Sequence, residues 1–371
     1  MTVFLFAVML IHGLIHLMGF AKAFEYAEIS QLRLHISRPA GSLWLLCCVA
    51  FLSAGILYLS KSPWWWWIAL PSVLVSQALI FGTWSDAKFG TVANLIILGA
   101  VISAALESRP GSYRSRYAVA VRESLPRSVG TALVSEQDLA HLPPSVQKYL
   151  RVSGCVGKSR IHNFRIVFTG KFRSGLTGPW MAFRSEQFNN MDEPERAFLM
   201  KARMYGIPTE GFHLFQAGRA TMQIKLASLF QLVDASGPQM DQGETVTFFN
   251  DLCLFAPAAL IDPERIHWEA DGPLSAKATF RYRDNTIGAR LTFNEAGDLT
   301  DFVSDDRFLS ADGKTFQRYP WSTPVKSWRD TGGRRVPASA ETIWHMPDGV
   351  FCYGKFMLSE IEYNVAIEFS R

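Results

Sequence analysis

Residues 220–244 read ATMQIKLASLFQLVDASGPQMDQGE, and within them a two-residue alternation gives way to a turn and then to a helix start. Ala220, Met222, Ile224 and Leu226 are apolar while Thr221, Gln223 and Lys225 between them are polar, which is the period of a half-buried strand. Residues 234–238 carry turn chemistry, and Asp241 with Glu244 three positions later predicts a helix N-terminus capped by Asp241. The stretch thus predicts strand, turn and helix in the middle of a folded domain. As a pair, Asp241 and Glu244 read first as cap and dipole partners, and second as carboxylates for acid or base chemistry.

The same alternation recurs after Gly157: at Phe164, Ile166 and Phe168, at Phe198, Met200, Ala202 and Met204, and at Ile287, Ala289, Leu291 and Phe293. Each predicts a strand with one apolar face. Turn signals at 294–297, 312–313, 332–333 and 347–349 come at hairpin spacing, so the sheet is expected to be mainly antiparallel. Helical spacing appears at 135–142, again after Pro144 at Val146, Tyr149, Leu150 and Val152, and from Asp241 to about Phe255. A long sheet with one greasy face and few helices must roll up or enclose a cavity. The expected class is therefore α+β, with a curved half-barrel and a few covering helices over residues 136–371. Met181, Phe183, Met200, Met204, Met222, Ile224 and Met357, with Trp344, are its candidate inner positions. Flexible thioethers suit an adaptable apolar pocket, although core packing uses the same residues.

The chain has 371 residues, 49% hydrophobic and 19% charged, and that average hides two halves. Within residues 1–108, four apolar segments at 3–21, 43–60, 64–84 and 90–106 each approach the roughly 20 residues needed to cross a bilayer. The first has no basic leader and no cleavage site, so it reads as a retained helix. Trp64 to Trp67 suit the headgroup level. Residues 109–135 are polar and basic, with Gly, Ser and Pro, and read as a linker or amphipathic surface segment. Lys22, Arg33, Arg38 and Lys88 would fall on one side of the membrane, and Lys61, Arg109, Arg114 and Arg116 on the other. Charge directly after the first helix favours an outside N-terminus, giving a multi-pass protein of the cytoplasmic membrane with its globular domain extracytoplasmic.

A net charge of +4, with basic residues dispersed among acidic ones, argues against nucleic acid as a partner. The five cysteines show no metal spacing and read as buried thiols. His12 and His16 lie one helical turn apart in the first apolar segment. Such a membrane polar pair can bind a metal or a quinone, or hydrogen-bond between packed helices beside Gly13 and Gly19. His345 is a weak candidate base, sharing a strand face with Glu341. Asp305, Asp306 and Arg307, with Arg318, Tyr319 and Trp321, form either a polar mouth for a headgroup or carboxylate, or a surface salt bridge under an aromatic cover. No nucleophile elbow, paired-histidine zinc helix or phosphate loop is present, and neither cofactor nor metal is expected.

IHGLIHLMGFAKAF, WSDAKFGTVANL, LPPSVQKYLRVSG, RSEQFNNM, LFQLVDASGPQMDQGE and WHMPDGVFCYGKFMLSEIEYN together resemble a bacterial family of uncharacterised multi-pass membrane proteins with a C-terminal domain of unknown function. That resemblance brings no reaction and no catalytic residues. The sheet pattern is also similar to the periplasmic lipoprotein-carrier half-barrels, which hold acyl chains, and this implies lipid or another apolar small molecule as partner. The expected function is membrane-anchored binding or shuttling of such a ligand. The alternatives are an enzyme on a membrane-derived substrate, and a structural or sensory module without a ligand.

Overall fold

The computed structural model describes residues 2–125, 130, 132–310 and 312–366, and it divides into two compact units, Met1–Ser112 and Tyr113–Arg371. The first is helical: α1 (Thr2–Ala23), α2 (Arg38–Leu59), α3 (Trp65–Gly82), the short α4 (Trp84–Ala87) and α5 (Gly90–Ser108). Among the described residues, four helical stretches are long and apolar enough to cross a membrane, the last beginning at Gly90. Helix α2 starts five residues before the expected 43. Ser37 caps it, accepting from the Ala40 amide at 3.4 Å, and Pro39 suits the first turn. Gly19 lets α1 lie close against α2, because a Cβ there would meet the Trp44 ring.

The second unit opens with α6 (Tyr113–Ser124) and α7 (Pro144–Val152). Six strands follow: β1 (Asn163–Phe172), β2 (Met181–Asn190), β3 (Glu195–Met204), β4 (Ile207–Gln216), β5 (Arg219–Leu226) and β6 (Phe230–Ser236). Helix α8 (Pro238–Phe255) separates them from β7 (Ile266–Ala270), β8 (Ser275–Tyr282), β9 (Asn285–Phe293) and β10 (Leu299–Ser304). The chain continues through β11 (Phe308–Leu309), β12 (Gln317–Arg318), β13 (Trp321–Ser322), β14 (Val325–Thr331), β15 (Arg334–Met346) and β16 (Gly349–Tyr363).

All but β11 and β12 belong to one sheet, in the order β6-β5-β4-β3-β2-β1-β16-β15-β13-β10-β9-β8-β7, with β14 on β15. Every pairing in it is antiparallel. The sheet curls into a half-barrel, since α8 touches β4, β5 and β6 on one flank and β9 and β10 on the other. Hairpin tips from the two flanks also meet: Asn285 Nδ2 donates to the Gly218 carbonyl at 2.8 Å, and Arg219 lies 3.6 Å from Asp284.

Three local expectations are corrected. Of the turn placed at 234–238, only Gly237 lies outside strand and helix; 230–236 pairs with β5 as a strand after an additional turn at 227–229, where Ala227 and Ser228 take φ of 53° and 57°. Gly237, at φ 104°, occupies the cap position of α8, so Asp241 sits inside the first turn. Part of the expected linker is the helix α6, whose Tyr113 and Tyr117 are buried against Ala197, Leu199 and Phe212. The reason is that β3 and β4 are apolar on both faces, and α6 covers the outer one.

Candidate functional site

Between α8 and the concave face of the sheet lies a cavity of about 380 Å³. Register builds its wall. Phe198 on β3 sits opposite His213 on β4, which sits opposite Met222 on β5; one pleat further, Met200, Gly211 and Ile224 form the next row. Because parity keeps each row on one face, the period read in the sequence delivers Met200, Met222 and Ile224 to the cavity. From α8, Met240, Glu244, Thr247, Asp251 and Leu254 recur at three and four residues and line the opposite side. Phe356 and Leu358 of β16, with Trp321 and Trp344, complete much of the apolar lining.

One buried polar cluster in the lining is centred on Arg196. Arg196 donates from Nε to Asp251 at 2.8 Å, from Nη1 to Glu244 at 3.1 Å and from Nη2 to Gln187 at 3.1 Å. Gln187 donates in turn to Asp251 at 2.7 Å, and Asn189 does so at 3.2 Å. All five side chains are buried. His213 Nδ1 lies 3.5 Å from Glu244, and Arg307 lies 4.0 Å from it. Burial alone would push the Glu244 carboxyl up, but the Arg196 charge, together with His213 and Arg307, holds it at about 2. Asp251 is shifted the other way, because burial outweighs Arg196 and Asn189. A carboxylate held that low is a weak proton acceptor near neutrality, so Glu244 suits ion pairing better than general-base work.

Arg307 follows β10 and turns into the cavity. Its guanidinium lies 4.1 Å over the Trp321 ring and 5.6 Å from Trp344, and Nη1 donates to the Tyr353 hydroxyl at 3.1 Å. Its neighbour Asp306 is occupied elsewhere, accepting from the Gly288 amide at 2.7 Å and pairing with Arg318.

Other candidates from the sequence lie off the cavity. Met357 is 55% exposed, because Phe356 and Leu358 on either side of it point inward and parity turns it out. Phe183 is buried between Phe172 and Phe356, and Met181 pairs with Phe172 at the start of β2, so both are packed core. Met204 closes β3 beside the turn to β4, opposite Ile207. His345 is exposed and pairs with the Ser322 hydroxyl at 2.8 Å. Asp241 does not cap its own helix: it accepts from the Ala220 amide at 2.7 Å and from Arg219 at 2.9 Å, tying α8 to β5.

Arg196, Gln187, Asn189, Asp251, His213 and Tyr353 were not singled out in the sequence. A weak signal existed in the alternation of Gln187 and Asn189 on a strand, and in the seven-residue spacing of Glu244 and Asp251, which puts them on one helix face.

His12 and His16 lie in a different polar cluster, inside the helical unit. His12 Nε2 meets Asn94 Oδ1 at 2.9 Å, while His16 donates from Nδ1 to the His12 carbonyl at 2.7 Å and meets Ser76 through Nε2 at 3.0 Å. All five cysteines are unpaired thiols. Among the described residues, no cluster of three or more His, Cys, Asp or Glu side chains is arranged to hold a metal ion.

Fold and site together define a protein with membrane-compatible helices and an antiparallel half-barrel around an amphipathic cavity. More particularly, the chain belongs to the family of unknown function DUF6544, whose model matches residues 132–356. No curated protein matches it. Among solved structures, it is similar to a LolA-superfamily protein from Nitrosomonas europaea at 9% identity and a TM-score of 0.35, over 64% of this chain and 96% of that one. It is likewise similar to a DUF1329-family protein from Desulfovibrio piger, at 9% identity and a TM-score of 0.34, over 60% of this chain and 93% of that one.

Proposed function

We propose that the half-barrel binds an apolar or amphipathic small molecule, of the lipid class, for a membrane-anchored protein. The observation that carries this reading is the cavity itself: about 380 Å³ of space lined by Met200, Met222, Ile224, Phe356 and Leu358, with a polar cluster at Arg196, Glu244 and Asp251. Pockets of about 300–1,000 Å³ with apolar walls and a few convergent polar groups are the usual form of a small-molecule site. We assign the four apolar helices to a bilayer, so that a ligand leaving it has a short path out of water. The loops with Lys22, Arg33, Arg38 and Lys88 are assigned to the cytoplasm, which puts the half-barrel outside.

Native mass spectrometry of the full chain, released from mild detergent, tests the reading. A stoichiometric apolar ligand is expected on the wild type and on Met357→Arg, whose side chain points outward, and is expected to be lost from folded Met222→Arg. Retention on Met222→Arg, or an apo wild type that takes up no added lipid, would overturn it.

A further inference from the structure

The geometry points to an anionic headgroup site at Arg307, so that the cavity's ligand is a single-chain amphiphile with a carboxylate or phosphate head; this rests on the ligand-binding reading above. Three arginines line the cavity, and they differ in what their donors already meet: Arg173 gives Nε to the Cys352 carbonyl at 2.8 Å and Nη1 to the Leu176 carbonyl at 2.7 Å. Arg196 has all three nitrogens committed, to Asp251, Glu244 and Gln187. Arg307 bonds Tyr353 through Nη1, while the Glu244 oxygen nearest Nη2 is 4.0 Å away, beyond hydrogen-bond reach. The Trp321 ring, 4.1 Å from the guanidinium carbon, holds Arg307 by a cation–π contact that consumes no N–H. A guanidinium carries five donors in a planar fork that matches carboxylate and phosphate oxygens in pairs.

Tyr353 strengthens the site. Its hydroxyl oxygen accepts from Arg307 Nη1 at 3.1 Å and from Trp321 Nε1 at 3.0 Å, which fills its acceptor capacity and leaves its own proton as a further donor. Glu244, 4.0 Å from Arg307, carries the same sign of charge as an arriving anion, and its ion pair with Arg196 and approach to His213 offset that repulsion. Size limits the tail: if a methylene claims about the 30 Å³ of a liquid water molecule, the cavity holds on the order of a dozen carbons.

The test uses the full chain in lipid nanodiscs, with binding read by native mass spectrometry against dodecanoate, dodecyl phosphate, dodecanol, dodecylamine and inorganic phosphate. Both anionic amphiphiles are expected to bind about tenfold or more tighter than dodecanol, with dodecylamine weakest. Arg307→Gln is expected to erase that preference and Arg307→Lys to keep part of it, at unchanged unfolding temperature. Equal binding of dodecanoate and dodecanol, indifferent to Arg307→Gln but lost in Met222→Arg, would overturn the headgroup site and leave the apolar-ligand reading standing. Failure of every dodecyl probe would overturn both. Inorganic phosphate binding as tightly as dodecyl phosphate would mean a free-anion site and overturn the amphiphile.

Discussion

One buried polar cluster in each unit can be compared, and the two are built by opposite rules. In the helical unit, His12, His16, Ser76, Gln77, Thr91 and Asn94 form a chain of neutral groups. Asn94 donates to Ser76 and to Gln77 at 3.0 Å each, and Gln77 donates to Thr91 at 3.1 Å. With tautomers assigned from these partners, the chain closes with both imidazoles neutral. In the half-barrel, the cluster is ionic, and in one member, Arg307, only Nη1 has a hydrogen-bond partner among the described residues. An apolar surround makes an unmatched charge costly, so the helical cluster satisfies itself. The half-barrel faces a cavity, where an open donor has a use.

The comparison breaks first at Glu244. Glu244→Ala leaves Arg196 buried with one carboxylate fewer, and is expected to cost about 3–5 kcal/mol in denaturant unfolding of the full chain. A loss under 1 kcal/mol would mean that the ionic cluster is not the half-barrel's anchor. The same carboxylate makes the difference depend on pH. Its folded value of about 2 lies below the ordinary 4.5, so its contribution is present above pH 4.5 and is lost as pH falls toward 2. The advantage of wild type over Glu244→Gln should therefore shrink across that window. In the helices, Gly19→Ala forces a Cβ against Trp44 and is expected to cost about 1–3 kcal/mol. Asn94→Leu, which strips partners from His12 and Ser76, should cost about 0.6–1.7 kcal/mol, the range for interhelical hydrogen bonds. Met357→Arg, on the outward face, should stay within about 0.5 kcal/mol of wild type.

The alternation of Met200, Met222 and Ile224 was legible because a strand's two faces are written in consecutive residues. The same logic failed at Met357, where an apolar residue sits on the outer parity, and at α6, where β3 and β4 carry apolar residues on both faces. Helix α8 was legible from its start signals and not from an apolar stripe, for a related reason. It is buried almost all round by the curled sheet, so its polar residues face a cavity instead of solvent and it shows no amphipathic stripe. Asp241 and Glu244 read as a local capping pair, yet each is committed to a strand: Asp241 to β5, Glu244 to Arg196 on β3.

By itself, then, the sequence determined the apolar helices, the antiparallel strands and the hairpin turns, since hydrophobic period and turn chemistry are local properties. Only the tertiary structure decided which buried groups meet. Curling the sheet around α8 brings Arg196, Gln187, Glu244 and Asp251 together from two strands and a helix, and sets Arg307 against Trp321 and Tyr353 from separate strands. Those pairings depend on sheet order and curvature, which arise from contacts distant along the chain and leave no periodic trace in it.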